Sequence, residues 1–425
     1  MQLGNNFYNI DFEQIPVDEY WNTGSEKECR MHKIHAYPAK FPAFITTKAI
    51  EFVKRRGGGE VNLIADIFCG CGTVAYETKK NGIDFWGCDI NPVATLIAEV
   101  KSQKYQDDLL KKYSNEIVNV FSSLIIANED IENINERIKY WFKNQQIRDL
   151  LALKRAISIV LIENVSYKKF FLCAFSNILK STSVWLTKSI KPQVDPDKVP
   201  AVVIDAFVRQ VDMMIKANNE NLISNENQIK IENINFLDKK IENSFADLIV
   251  TSPPYVTSYE YADLHQLSTL WLGFVDDYKI LRKGTIGSIY HESDYEDNLN
   301  QLSPIGVDIV SSLYKVDKSK AKAASKYFVD MQKVTSKAFQ LLNNNGYSLF
   351  VIGNTEYKKV KIDNAKHLIE SMYSAGFRDL EIIQRKISKK ILTPYRDSRG
   401  KFTSNKNSRQ VYSEEFIIIG KKYED

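Results

Sequence analysis

The residues in this chain best suited to chemistry are Thr251-Ser252-Pro253-Pro254-Tyr255, which directly follow the apolar run Ala246 to Val250. A short uninterrupted apolar run reads as a strand buried on both faces of a parallel sheet, so the five residues stand at a strand's carboxyl end. Two consecutive prolines fix their own φ near about −65°, remove two backbone donors and push Ser252 away from helical angles. The loop is therefore stiff and its carbonyls are left unpaired. Rigid acceptors on Ser252 and Pro253 suit the hydrogens of an exocyclic amino group, and Tyr255 adds a flat face on which a base can stack. An ordinary stiff turn is the simpler alternative for a Pro-Pro-Tyr run taken alone, and the surrounding chain must decide.

Such a loop needs a sheet to hold it and a partner site beside it. Val61 to Phe68 reads as the first buried strand, and the turn after it runs Asp66-Ile67-Phe68-Cys69-Gly70-Cys71-Gly72-Thr73 into a helix over Val74 to Lys80. Glycines stand where the backbone must bend tightly and approach a ligand. With Ala75 the turn also fits a GxGxxA dinucleotide fingerprint, which keeps a nicotinamide-linked dehydrogenase open at this point. Phe85 to Asp89 is the second strand, with Asn91-Pro92 opening a helix as cap and first residue. An acid at that strand end suits ribose hydroxyls in either kind of site.

Ser252-Pro253-Pro254-Tyr255, the acid and glycines of the first turn, and the upstream His35-Ala36-Tyr37-Pro38-Ala39-Lys40-Phe41-Pro42 together resemble S-adenosylmethionine-dependent amino-group DNA methyltransferases of the cytosine-N4 type. The resemblance covers residues 35–101 and 228–420. It implies a Rossmann-like class I methyltransferase fold of the α/β class, with a mixed seven-stranded sheet, an antiparallel last strand and a helical insertion. S-adenosylmethionine is the implied cofactor and double-stranded DNA the implied partner, with a cognate restriction endonuclease or defence-system subunit as a further one. The catalytic residues carried over are Ser252, Pro253, Pro254 and Tyr255. At the cofactor, Lys40 and Phe41 line the methionine end, with Lys40 near the carboxylate. Asp66 meets the ammonium, Phe68, Gly70, Gly72 and Thr73 shape the turn, Asp89 and Ile90 take the ribose side, and Asp238 lies near the adenine. Ser252 marks cytosine, because adenine-N6 relatives usually carry Asp or Asn there. The order of cofactor half, insertion and catalytic half is instead common among adenine methylases, which keeps an adenine-N6 or RNA amino methyltransferase as the alternative. None of the five cysteines follows a proline, which argues against a cytosine-C5 enzyme and its Pro-Cys nucleophile.

The 425 residues exceed one typical domain, and 44% hydrophobic with 26% charged residues is an ordinary globular balance that affords a large core. No apolar run approaches a membrane span and the first residues lack a secretory pattern, so cytoplasmic residence is expected. Odd-numbered cysteines without CxxC spacing imply reduced thiols and no metal site. Residues 1–34 read as an arm over the domain, 35–101 as the cofactor half, 102–225 as a helical insertion and target-recognition candidate, and 226–425 as the catalytic half. Within the insertion, Lys168-Lys169 and the stretch Lys180 to Lys188 around Trp185 are candidates for phosphate contact. Residues 278–322 read as a mobile loop. Tyr327 to Leu342 is an amphipathic helix, followed by strands over Tyr347 to Asn354, Arg378 to Ile387 and Glu415 to Gly420. The last two strands enclose the strongest charge signal in the chain: nine basic residues and one acid between Arg385 and Arg409, in a chain whose net charge is only +4. Tyr395 and Phe402 interleave with these cations, so Arg385, Lys389, Lys390, Tyr395, Arg396, Arg399 and Lys401 are expected to grip a DNA backbone.

Overall fold

The computed structural model describes residues 2, 10–22, 28–38, 40–224, 226–256, 260–290, 293–386, 395–396, 403, 405, 407, 409–410 and 414–424. Its centre is a seven-stranded sheet built from β1 (Leu63–Asp66), β2 (Asp84–Cys88), β3 (Ile229–Glu232), β4 (Ala246–Thr251), β5 (Leu342–Ile352), β6 (Arg378–Lys386) and β7 (Glu414–Lys421). They lie in the order β3-β2-β1-β4-β5-β7-β6, with β7 antiparallel to both its neighbours. Successive side chains of a strand point to opposite faces, and the central strand β4 is apolar over most of its length because both faces are covered, whereas the edge strands β3 and β6 carry charged residues. Ile64, Leu248, Val250, Ile417 and Ile419 pack towards α1 (Ala43–Arg55) and α2 (Thr73–Lys80). Ala65, Ile249, Phe350 and Ile418 pack on the other face, in the cluster that includes residues of three later helices.

After α3 (Pro92–Lys101) the chain leaves the sheet. It forms α4 (Asp107–Ser123), α5 (Asn128–Glu132), α6 (Glu136–Trp141), α7 (Asn144–Val160), α8 (Val165–Ile178) and α9 (Val203–Asn219) before returning as β3. This block has its own apolar core, which Val93, Leu96 and Ile97 of α3 join from one side. α10 (Tyr261–Leu264) and α11 (Gln266–Leu272) follow the Pro-Pro loop, and Leu267, Leu270 and Trp271 of α11 complete that core.

Two sequence expectations change here. Residues 278–322 are not a mobile loop. They contain α12 (Tyr295–Gln301), α13 (Pro304–Tyr314) and the start of α14 (Lys318–Leu341), with Ile305, Ile309, Val310 and Leu313 buried in the sheet's second layer. Their polar composition concealed a narrow apolar stripe. Lys180 and Trp185 are structural and do not face a nucleic acid: Trp185 is buried and stacked on Trp141 at 4.9 Å, and Lys180 donates to the Ser189 carbonyl. The described part of the N-terminal arm adds to the sheet edge, where the Asp18 amide donates to the Gln384 carbonyl of β6 at 3.0 Å and Trp21 is buried. Covering an edge strand this way removes a row of unpaired backbone groups. Between β5 and α15 (Asn364–Ala375) a short hairpin, Thr355–Tyr357 with Val360–Ile362, has no counterpart in the sequence reading.

Candidate functional site

Four turns meet at the carboxyl ends of β1, β2, β3 and β4. The first is the glycine turn after β1. Gly70 and Gly72 have φ of +47° and +71°, a region that side chains disfavour, and a Cβ on Gly72 would come within 2.5 Å of Ala98 in α3. Only glycine lets this turn form while α2 and α3 stay close. Asp66 closes β1 and is 2% exposed; its Oδ1 accepts from the Phe68 amide at 3.1 Å and from the Thr251 hydroxyl at 2.6 Å. That second bond ties the end of β1 to the end of β4, and so joins the glycine turn to the Pro-Pro loop. Burial pushes the Asp66 carboxyl up to about 7, against the lowering effect of its two hydrogen bonds. An acid held so far up is an acid short of a cation.

Asp89, after β2, accepts from the Gly70 amide at 2.9 Å with one oxygen and from the Asn91 amide at 2.8 Å with the other. Burial raises it to about 6. These bonds fix the two turns against each other and orient the carboxylate's remaining lone pairs. Asn91 caps α3 by accepting from the Val93 amide at 3.0 Å, so its side-chain nitrogen must donate; it reaches Nδ1 of His265 at 2.7 Å. His265 therefore carries its proton on Nε2, and burial keeps the ring neutral by pushing its pKa down to about 3. That buried Nε2 finds no partner among the described residues. The ring stacks on Tyr37 at 5.0 Å, and the Tyr37 ring in turn stands beside Gly70, 3.6 Å from where a Cβ would be.

The structure brings some of the residues singled out in the sequence to these turns and places others elsewhere. Asp66, Phe68, Gly70, Gly72, Thr73, Asp89 and Ile90 all lie on the turns after β1 and β2, and Phe41 packs against the apolar cluster that holds Cys69 and Val74. Lys40 is engaged elsewhere: its ammonium donates to the His32 carbonyl at 3.0 Å and pairs with Glu28 at 2.8 Å. Asp238 is exposed at the end of a short 3-10 turn, Phe236–Asp238. The residues beside Ile90 are instead Asn233, which donates to the Asp89 and Ile90 carbonyls, and Asn235, which donates to the Gly284 carbonyl at 3.0 Å. A Cβ on Gly284 would lie 3.4 Å from Asn235 and 3.5 Å from Ile90, so these three residues form one wall. Sequence reasoning missed Tyr37, Asn91, Asn233, Asn235 and His265 as site residues. For Tyr37 the signal was its place in the His35 to Pro42 segment; for His265 there was none.

On the β4 side, the Ser252 hydroxyl donates to the Val351 carbonyl of β5 at 2.9 Å. Pro253 is buried, and Ser252, Pro254 and Tyr255 are half-buried. The Tyr255 hydroxyl donates to Glu415 at 3.4 Å, and burial with that carboxylate drives its pKa well above the usual phenol range. Arg385 corrects the sequence reading: it is 2% exposed and paired with Glu415 at 2.8 Å, so it cannot grip a phosphate. Lys389, Lys390, Arg399 and Lys401 lie outside the described residues. The backbone of Tyr395–Arg396 pairs antiparallel with Arg409–Gln410.

A glycine turn after the first of seven strands, strand order 3-2-1-4-5-7-6 and an antiparallel last strand define a Rossmann-like fold of the class I methyltransferase type. No family model matches the chain. Among curated relatives it is similar to Type II methyltransferase M.MvaI of Kocuria varians, 22% identical over 92% of this chain and 91% of that protein. It is also similar to M.BsoBI of Geobacillus stearothermophilus, 26% identical over 60% of this chain and 55% of the relative. M.MjaII of Methanocaldococcus jannaschii is 33% identical over a shorter stretch, 34% of this chain and 27% of the relative. All three relatives are Type II methyltransferases by name. Solved structures with overlapping folds include an rRNA methyltransferase from Streptomyces viridochromogenes, at 9% identity, 91% and 88% coverage and TM-score 0.28. A SAM-dependent methyltransferase from Methanosarcina mazei overlaps at 9% identity, 92% and 100% coverage and TM-score 0.30. No described helix is long and apolar enough to cross a membrane.

Proposed function

We propose that this chain is a site-specific DNA methyltransferase that uses S-adenosylmethionine to methylate the exocyclic N4 amino group of cytosine. The observation that carries the reading is the Thr251–Asp66 hydrogen bond, which sets the Ser-Pro-Pro-Tyr loop directly beside the glycine turn. A cofactor turn and an amino-group acceptor are thereby neighbours. The near end-to-end similarity to a Type II methyltransferase supports the same reading.

The residues fit the cofactor. A buried acid short of a cation at Asp66 and an orphaned N–H donor at His265 complement the ammonium and carboxylate of an amino-acid end. Asp89 suits the ribose hydroxyls, and the Ile90, Asn235 and Gly284 wall offers a flat apolar and amide surface for a purine. When bound, S-adenosylmethionine supplies an electrophilic methyl group.

The target base leaves the duplex, because its amino nitrogen cannot reach such a methyl inside the stack. Tyr255 offers the ring on which it stacks. Ser252 spends its one hydroxyl proton on Val351, so its oxygen faces the base only as an acceptor. That oxygen and the Ser252 and Pro253 carbonyls hold the amino hydrogens and aim the nitrogen lone pair in line with the methyl, so the acceleration comes mainly from positioning. The basic segment between β6 and β7 and the helical insertion are the proposed DNA-facing parts, and a cognate endonuclease is the proposed partner. The test is labelled-methyl transfer to random-sequence DNA, followed by chromatography of the digested nucleosides. N4-methylcytosine is expected. N6-methyladenine alone would show Ser252 to be no marker of cytosine, and methylation of RNA but not DNA would move the substrate class.

A further inference from the structure

The Arg385–Glu415 pair is unusual in where it stands. The two residues face each other across β6 and β7, the strands whose connection holds the basic segment, so the pair sits at the root of that segment. Arg385 Nη1 donates to one oxygen of Glu415 at 2.8 Å, and its Nε donates to the Trp21 carbonyl of the N-terminal arm at 3.3 Å. Its guanidinium also lies over the Phe44 ring at 5.5 Å. A buried ion pair is costly to desolvate and adds little net stability compared with apolar residues of the same volume. Its position suggests another use.

The other Glu415 oxygen receives the Tyr255 hydroxyl. The Tyr255 ring rests against Gly353, just past the end of β5, where a Cβ would come within 3.3–3.4 Å of two ring carbons and the hydroxyl oxygen. One side of the ring is thus set by a missing side chain and its tip by a carboxylate. We infer that Glu415 is a positioning residue for the Tyr255 ring, and that Arg385, anchored by the arm, holds Glu415 in place for it. This deepens the proposed function by tying the base-stacking ring to the root of the basic segment. Besides Glu415, the titratable groups facing the Tyr255 phenol are Tyr261 and Tyr327.

The test reads the tether without substrate. With 3-fluorotyrosine placed at position 255, Glu415→Gln is expected to broaden or shift the fluorine resonance and lower the phenol's pKa, since an anion beside it is lost. Arg385→Met, which leaves Glu415 without its cation, is expected to move the same resonance. In methyl transfer, Tyr255→Phe and Glu415→Gln should each lower kcat, on the order of 10-fold for a loosened reacting geometry, with S-adenosylhomocysteine affinity unchanged. The double variant should be no slower than Tyr255→Phe, because both changes cut one link. An unmoved fluorine signal in Glu415→Gln, or kcat losses that multiply in the double variant, would overturn the inference. A fluorine signal that moves on Glu415→Gln, together with a wild-type protein that fails to methylate DNA, would keep the tether and remove the proposed function instead.

Discussion

The two ends of the candidate site are built on opposite electrostatic principles. At the glycine turn, burial lifts Asp66 to about 7 and Asp89 to about 6, and a histidine N–H has no acceptor among the described residues. At the Ser-Pro-Pro-Tyr loop the polar groups have partners: Ser252 on Val351, Tyr255 on Glu415, Glu415 on Arg385. One end carries carboxyls raised by burial and a buried N–H without a partner among the described residues, and the other carries polar groups already paired. The difference suits a division of labour in which binding energy comes from unsatisfied groups and rate from a rigid, already satisfied one. Substitutions should therefore separate cleanly into those that change affinity and those that change turnover.

The largest effect is expected at the rigid end. Tyr255→Ala removes the stacking face and should lower kcat by on the order of 100-fold, the upper range for losing one base–aromatic stack, while S-adenosylhomocysteine affinity by calorimetry stays within error. An equal loss in cofactor affinity would erase the comparison. Next is the unsatisfied end. Asp66→Asn keeps an acceptor for Thr251 and Phe68 but loses the charge, and should weaken cofactor binding by about 1 to 3 kcal/mol, the range for a charge-assisted hydrogen bond. DNA retention should barely change.

A third substitution sharpens the contrast by touching neither end. Replacing Arg396, Arg399 and Lys401 with alanine should weaken binding to all DNA sequences alike and reduce the salt slope of log K by up to ~3, about one per lost phosphate contact. An unchanged slope would move the DNA surface to the helical insertion.

The smallest effect is a pH dependence at the unsatisfied end. Asp66 and Asp89 have folded pKa values raised above those of an unfolded chain, so the folded state holds more protons between about pH 4 and 7. Their contribution to the stability of the ligand-free protein accordingly falls as pH rises through that window. An ammonium placed on Asp66 offsets the loss, so the rise in Tm on adding S-adenosylhomocysteine should be greater at pH 8 than at pH 5.5. A Tm rise independent of pH would mean that neither acid meets a cation.

Much of the rigid end and part of the unsatisfied end are legible in the sequence because they are local. Asp66 through Thr73 and Ser252 through Tyr255 are contiguous, and glycine and proline impose their geometry on the backbone wherever they occur. The central strands are legible for a similar reason, since β4, buried on both faces, is a nearly uninterrupted apolar run, while the edge strand β3 shows instead as alternation. The helices of residues 295–314 are less so, because a short amphipathic helix among polar residues leaves only a few apolar positions to count. Arg385 was misread for a different reason. It belongs to a charge run, and a count of charges along a chain carries no information about which one turns inward.

The amino-acid sequence by itself determined the seven strands of the central sheet, the stiffness of the Pro-Pro loop, the tight glycine turn and the concentration of charge between the last two strands. Each follows from a residue's own backbone preference or from periodicity over a few neighbours. Tertiary structure alone decided that Lys40 pairs with Glu28, that Asn235 and Gly284 stand beside Ile90, and that Asn91 sets the tautomer of His265 across 174 residues. It also decided that Glu415, 160 residues beyond Tyr255, holds that ring. Apart from Lys40–Glu28, these are pairings between residues far apart in the chain. Which pairings form depends on the order of strands in the sheet, and no local pattern encodes that order.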